Sequence, residues 1–469
     1  MSKERSFRFN VLVLRPARRL LMQPWFPVVF QGCTFAIMIG LIINGWGLGM
    51  ERTSEELLTL RKTNLTTLAV WGLWWPGMIA LVLFLGRVWC TVCPMEAVNR
   101  LADTLARRLG WPRARLGRRL RTGWMALTLY FFLQALVAGL SIHRVPHYTA
   151  WMLLALFVLA SLSGIFFSDA RSFCVGFCPA SPLLSVYGRY TPIQLDTCDP
   201  AICGNCSTKD CVQHKNRHRF DRRSCPSLLR PFNRQQSDGC VLCLQCAKIC
   251  TYENIGFGLT SHDSSVRRPR LLQPVEATFV MIAAGFVAHE VVGKVNWLDH
   301  YFHVVPEALS GIVPTVPIGW WEGLWFLVLF PALLWLIVAG IGWLAGHRES
   351  LMNLFLAAAT GAAPVVALSH LAKVSAKLSS WGGYLTLALK DPRGLQTCDR
   401  IVSGGLDAPG WFVGLSLTGW MMVIVMAVLA FISVRRLRTF SARQVPAALA
   451  GLSVMAVIFG GVFVVWAFT

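Results

Sequence analysis

Nine apolar runs, each close to the ~20 residues of helix needed to cross a hydrocarbon core about 30 Å thick, constrain this chain more than any other feature. Lipid offers no partner to an unpaired backbone N–H or C=O, so such runs become helices. They lie near 26–48, 68–86, 124–140, 150–168, 275–293, 320–344, 351–370, 411–433 and 445–468. Composition agrees, because 55% of the 469 residues are apolar and only 14% are charged, outside the balance of a soluble domain. The 351–370 run contains Pro364 and ends on His370 and Lys373, which makes it the least regular of the nine. Lys3, Arg5, Arg8, Arg15, Arg18 and Arg19 precede the first run, and no small-residue cleavage site follows it, so a retained helix is expected. Gly32-Cys33 lies well inside that run, which predicts a buried structural cysteine rather than a lipid-attachment site.

A formal net charge of +21 would suit a nucleic-acid partner if it were spread evenly, but these charges cluster in loops beside the apolar runs, so none is expected. The loop between the second and third runs holds Arg100, Arg107, Arg108, Arg113, Arg115, Arg118, Arg119 and Arg121 against a single acid, Asp103. Such a loop is predicted to be cytoplasmic. Strict alternation then puts the N-terminus, the 169–274 segment, His347-Arg348 and Arg435-Arg436-Arg438 on the same side. The 141–149, 294–319 and 371–410 connections face outward as lids, with Pro306, Pro314 and Pro317 marking irregular structure. The expectation is an α-helical polytopic protein of the cell inner membrane. It has a four-helix membrane module over 1–195, a small α+β ferredoxin-like cytoplasmic insert over 196–272, and a five-helix membrane module over 273–469.

Nine of the fifteen cysteines fall in the insert at short spacings, which points to thiolate ligands in a reducing compartment rather than to disulfides. Cys240-x2-Cys243-x2-Cys246-x3-Cys250 is the bacterial ferredoxin run, whose tight turns let three sulfurs converge on one cubane while the fourth reaches a second. A zinc site would need four ligands and leave five local cysteines unexplained. Upstream stand Cys198, Cys203, Cys206 and Cys211, then Cys225-Pro226. Crossed ligation assigns Cys198, Cys203, Cys206 and Cys250 to one 4Fe-4S cluster, and Cys240, Cys243, Cys246 and one more to the other. Spacing favours Cys211 for that last place, while the proline after Cys225 favours Cys225; Cys211 is preferred. The Cys198-x4-Cys203-x2-Cys206 spacing also fits a plant-type two-iron run.

GRVWCTVCP, with Cys90 and Cys93, and SFCVGFCP, with Cys174 and Cys178, end two inward-running spans. All four sulfurs are therefore expected to converge, as ligands of a third cluster, as a copper(I) site, or as a thiol–disulfide couple. These two motifs, the GRV lead-in, the CPASPLLSVYGRYTPIQLD passage and the following insert resemble membrane polyferredoxins of the NapH, NosR and CcoG type over roughly residues 60 to 260. The resemblance implies paired Cys-Pro motifs on four helices, two cytoplasmic 4Fe-4S clusters, and electron delivery tied to quinol oxidation or copper-enzyme maturation. The chain departs from that pattern in the two-residue gap between Cys90 and Cys93, in the widened first cluster run, and in the roughly 200 residues that follow the insert.

Among ionisable groups inside spans, which are functional candidates by default, His289 and His370 stand out. They could ligate a b-type haem, or hydrogen-bond a quinone while Glu290 or Lys373 handles protons. His143, His300 and His303 form a weaker candidate metal site. The stretch Arg217, Arg219, Arg222, Arg223, Arg230 and Arg234 suits an acidic electron carrier or anionic headgroups. The nineteen tryptophans are accounted for by interfacial belts. The leading expectation is an iron-sulfur relay, an oxidoreductase component, between the quinone pool or a membrane redox protein and a redox partner. A copper-binding reductase or maturation factor is the alternative, and a redox-gated transporter or sensor the third; no nucleotide-binding glycine motif is evident.

Overall fold

The computed structural model describes residues 7–191, 193–219, 222–227, 229, 239–260, 270–437 and 440–469. Lys3, Arg5, Arg230, Arg234 and Arg438 lie outside the described residues. The chain is a helical polytopic membrane protein. Among the described residues, eight helices are long and apolar enough to cross a membrane: Val28–Gly45, Leu65–Leu85, Pro146–Phe166, Pro274–Val292, Ile318–Leu344, Leu351–Lys390, Leu415–Leu437 and Val445–Ala467. Trp124–Gly139 is a ninth apolar helix, shorter at 16 residues. Each of the nine runs thus becomes a helix.

Three local readings change. The least regular run extends into a continuous helix, Leu351–Trp381, so much of the expected 371–410 lid is helical. Its polar residues do not end the helix because they are covered by protein: His370 is fully buried, and Lys373, also buried, pairs with Glu290 at 3.2 Å. The 294–319 connection likewise contains the helix Asn296–Ile312 with Pro306 inside it, since proline's fixed φ is helical and only one N–H bond is lost. Cys33 is exposed rather than buried, on a helix of which only 28% of the apolar window is enclosed.

The described contacts divide the chain into two compact units, 1–38 with 81–126 and 156–268, and 39–80 with 127–155 and 269–469. The first carries a three-stranded antiparallel sheet, β1 (Phe7–Asn10), β2 (Ile193–Thr197) and β3 (Ile255–Thr260), in the order β1-β3-β2. Apolar and polar residues alternate along Ile193-Gln-Leu-Asp-Thr197, the period of a half-buried strand. Helices Pro200–Gly204 and Gln245–Ile249 lie between β2 and β3 in sequence, and Leu195, Leu242, Leu244, Cys246, Ala247 and Ile255 form the core beneath them. The N-terminal segment belongs to this insert as well. β1 adds its edge, and Lys248 Nζ donates to the carbonyls of Gln23 (2.8 Å) and Phe26 (2.5 Å).

In the second unit, Pro274–Val292 and Leu351–Lys390 are the most enclosed helices, 67% and 61% of their windows, so polar groups on them are shielded from lipid. The long helix packs on Val445–Ala467 through small residues. A Cβ on Gly361 would strike the Ala448 backbone, and one on Gly451 that of Ala358, the close approach by which membrane helices gain contact without a hydrophobic driving force.

Candidate metal centre

The two Cys-Pro motifs fold alike. After the Leu65–Leu85 helix the chain turns at Gly86 (φ 67°), makes the short turn Trp89–Val92, and extends at Cys93 (φ −66°, ψ 125°). After Pro146–Phe166 a π-helical turn, Phe173–Phe177, leads to an extended Cys178 (φ −69°, ψ 115°). Proline bars its predecessor from helical geometry, which gives both cysteines the same backbone. Pro94 then opens the helix Pro94–Arg108 rather than closing one. Cys90 and Cys174 are buried, Cys93 and Cys178 partly so. Burial pushes the Cys93 thiol well above its ordinary range, and Cys174, Cys90 and Cys178 push it further, so all four sulfurs share one neighbourhood. Burial, with Cys174 and Cys90, raises Cys178 to about 12.

A polar frame holds these turns. Asn99 Nδ2 lies 3.0 Å from Ala160 O, Ser163 Oγ and Ser172 Oγ, tying the Pro94–Arg108 helix to the approach of the second motif. Gly164 permits this, because a Cβ there would run into the Asn99 carbonyl. Gln31 Nε2 donates to Thr91 O (2.9 Å) and Glu96 Oε2 (2.8 Å), and Thr34 Oγ1 to Val92 O (2.7 Å).

Two buried arginines beside the sulfurs escaped the sequence reading. Arg87 donates to Ser185 Oγ at 3.3 Å, and Arg171 to Ser227 Oγ at 2.8 Å. Arg87 Nε and Arg171 Nε and Nη2 make no hydrogen bond among the described residues. Arg171 also has left-handed backbone (φ 56°), a strain tolerated where the surroundings over-determine it. Burial disfavours the Arg171 charge, but Cys174, Cys90, Glu96 and Cys243 together outweigh it and hold the guanidinium above its ordinary range. On Cys174, burial raises the thiol while Arg171 and Arg87 oppose it. A signal was available: both motifs read Arg-x-x-Cys, with Arg87 before Cys90 and Arg171 before Cys174.

The insert's cysteines separate into two groups whose membership crosses the sequence order. Cys203, Cys206 and Cys211 line one cavity with Cys250, the last cysteine of the second run. Cys198 does not line this cavity, but its N–H donates to Asn254 O at 2.9 Å, and its thiol is raised by partial burial, by Asp196 and then by Cys203 and Cys250. Burial raises Cys211 to about 11, with Cys250, Cys203 and Cys206 adding. The second group holds Cys225, Cys240 and Cys243: burial raises Cys243 to about 12, with Cys225 the next contributor and Cys240 behind it. Cys246 is buried in the core under this run, and Cys211, Cys240 and Cys250 all pack against that core. The sequence prefers Cys211 for the second group; here Cys211 lines the cavity with Cys250, and Cys225 stands beside Cys243. The Cys211 carbonyl accepts from Cys225 N at 2.7 Å, so the two are neighbours in backbone, yet the thiols go to different groups. Left-handed Leu242 (φ 56°) and Leu244 (φ 59°) bracket Cys243, turns of the kind that aim backbone N–H groups into an anion-binding hollow. Lys209 N donates to Cys206 Sγ at 3.4 Å.

Asp103, the lone acid of the arginine-rich loop, is buried between Arg113 (2.5 Å) and Arg217 (2.9 Å) and so fastens the insert to the Pro94–Arg108 helix. Among the described residues, no three His, Cys, Asp or Glu side chains draw together as tightly as one bound ion requires. His143, His300 and His303 are accordingly not assembled into a metal site; His303 instead pairs with Asp299 at 3.1 Å. A cubane takes one thiolate at each separated corner and does not need such convergence.

The second unit has a different polar centre. His289 stacks on Phe326 (4.5 Å, 11°), His370 meets Phe286 edge-on (6.1 Å), and the two phenyl rings touch each other (6.1 Å), so the imidazoles are linked through phenylalanines rather than paired. Lys373 bridges to Glu290 and lies 3.8 Å above the Phe286 ring. Arg61 and Lys377 both stack on Trp381 (5.4 and 4.7 Å). Outside the spans, burial lowers Arg61 to about 10 and also lowers Lys294. Comparison with known protein families, with curated proteins and with solved structures gives no match for this chain.

Proposed function

We propose that this is a membrane-bound iron-sulfur electron-transfer protein, with the insert on the cytoplasmic side of a cell inner membrane. The observation that carries the reading is the crossed grouping: Cys250 lines the cavity of Cys203, Cys206 and Cys211, while Cys225 stands with Cys240 and Cys243. A zinc site or a set of buried structural cysteines has no reason to cross in this way, whereas a two-cluster ferredoxin does. The order β2, helix, helix, β3 with antiparallel β2 and β3 suits the same fold, as does the resemblance to membrane polyferredoxins.

Cys203, Cys206, Cys250 and either Cys198 or Cys211 would hold one 4Fe-4S cluster; Cys225, Cys240, Cys243 and Cys246 would hold the other. Cys90, Cys93, Cys174 and Cys178 would hold a third redox centre. Such a cluster takes up and gives back one electron with no bond made or broken. The chain's part is to bury Cys246 and partly cover Cys243, to supply backbone donors around Cys243 and Cys206, and to keep positive charge beside the membrane thiols. Electrons would come from the quinone pool or a membrane redox partner. Glu290 and Lys373 offer a place where a quinol could lose protons, with His289 and His370 as hydrogen-bonding neighbours.

The reading is tested on anaerobically purified protein reduced with dithionite. Cys243→Ser should abolish the reduced EPR signal of one insert cluster and spare that of the other. Two unaltered signals, or none in the parent, would overturn it.

A further inference from the structure

Arg171 is a charged group that lies between the insert and the membrane motifs. It is 7% exposed, bridges to no carboxylate among the described residues, and leaves two guanidinium nitrogens, Nε and Nη2, without an acceptor there. Its remaining contact runs toward the insert: Nη1 donates to Ser227 Oγ at 2.8 Å, and Ser227 Oγ donates in turn to Gly239 O at 3.0 Å, the residue before Cys240. Ser227 itself follows Cys225-Pro226. Arg171 is therefore tethered at both ends of the Cys225, Cys240, Cys243 group while its backbone sits three residues from Cys174. Cys174 and Cys90 are its strongest thiol neighbours on the membrane side, and Cys243 is within electrostatic reach on the other. Arg87, the equivalent residue of the first motif, is tied to Ser185 and acts on Cys174 and Cys178.

Glu96 acts on Arg171 only at a distance, without an ion pair, and neutral thiols do not offset the cost of burying a cation. Metal-bound thiolates do. We propose that Arg171 is a fixed positive charge shared by the membrane thiol centre and the Cys225, Cys240, Cys243 centre, setting how readily each accepts an electron. The assignment rests on the iron-sulfur reading. Reduction places one electron, and so one further negative charge, on a centre that its thiolates already make negative. A guanidinium at hand favours that state, and because it does not titrate in the working range, the electron moves without an obligatory proton. Arg171 is a positioning residue, acting on the centres by charge alone.

The test is an EPR-monitored redox titration of full-length protein, purified anaerobically in detergent and poised with dithionite and ferricyanide. Arg171→Gln should shift the midpoint potentials of both centres to more negative values at unchanged iron content. Arg171→Lys should restore most of the shift. A loaded parent whose two potentials ignore Arg171→Gln, or of which only one moves, overturns the assignment. If Arg171→Gln loses its iron, Arg171→Lys decides: normal loading with near-parental potentials supports the charge role, and loss of iron there too makes Arg171 a structural residue and overturns the proposal. A parent without iron overturns the reading beneath it instead.

Discussion

Asp103 shows how much a single residue carries in a chain with so few acids. Its carboxylate is buried against Arg113 and Arg217, both themselves largely covered, and removing it would leave two guanidiniums uncompensated. Breaking a buried pair of this kind costs about 3–5 kcal/mol. Asp103→Asn should therefore loosen the insert by an amount of that order, seen as faster proteolysis between residues 211 and 224 and a lower melting temperature, with Asp103→Glu recovering part of the loss. Unchanged proteolysis would mean that the insert is held by its sheet alone. In the sequence, Asp103 is merely the exception in a basic loop that otherwise reports topology. Its role depends on Arg217, more than a hundred residues away, and no local pattern announces that partner. Arg87 and Arg171 differ in this respect, because the repeated Arg-x-x-Cys spacing was visible.

At the scale of elements, the two Cys-Pro turns behave as one device built twice. Each uses proline to extend the preceding cysteine, and the Asn99 contacts lock one turn to the other. If their sulfurs form a single centre, replacing Cys90 and Cys93 with serine should cost nearly the full electron delivery to the insert, as should replacing Cys174 and Cys178. Replacing all four should add little, since groups acting as a unit are not additive. Summed losses from the two pairs would show two separate structural sites. The motifs were legible because their spacing is local. The choice between Cys211 and Cys225 was not, because it turns on contacts between residues far apart in sequence. Cys225 N bonds to Cys211 O, yet Cys211 lines the cavity with Cys250 while Cys225 stands beside Cys243, a divergence that spacing alone does not announce.

Across the whole molecule, eight of the nine helices were readable to within a few residues, since span length and backbone satisfaction in lipid leave little choice, and the 351–370 run was the exception. What could not be read was which polar residues the protein covers. His370 and Lys373 looked like the end of a span, but Glu290 and Phe286 from another helix shelter Lys373 and let the helix run on to Trp381. The N-terminal strand was likewise hidden, since Phe7–Asn10 is too short to announce itself without β3 beside it. The central claim, that the crossed cysteine groups hold two cubane clusters, is tested most directly by iron and acid-labile sulfide content of anaerobically purified protein, read together with its reduced EPR spectrum. Two four-iron clusters predict about eight irons and eight sulfides per chain, and about twelve of each if the membrane cysteines hold a third. Fewer than about four irons per chain, or zinc in their place, would contradict the account.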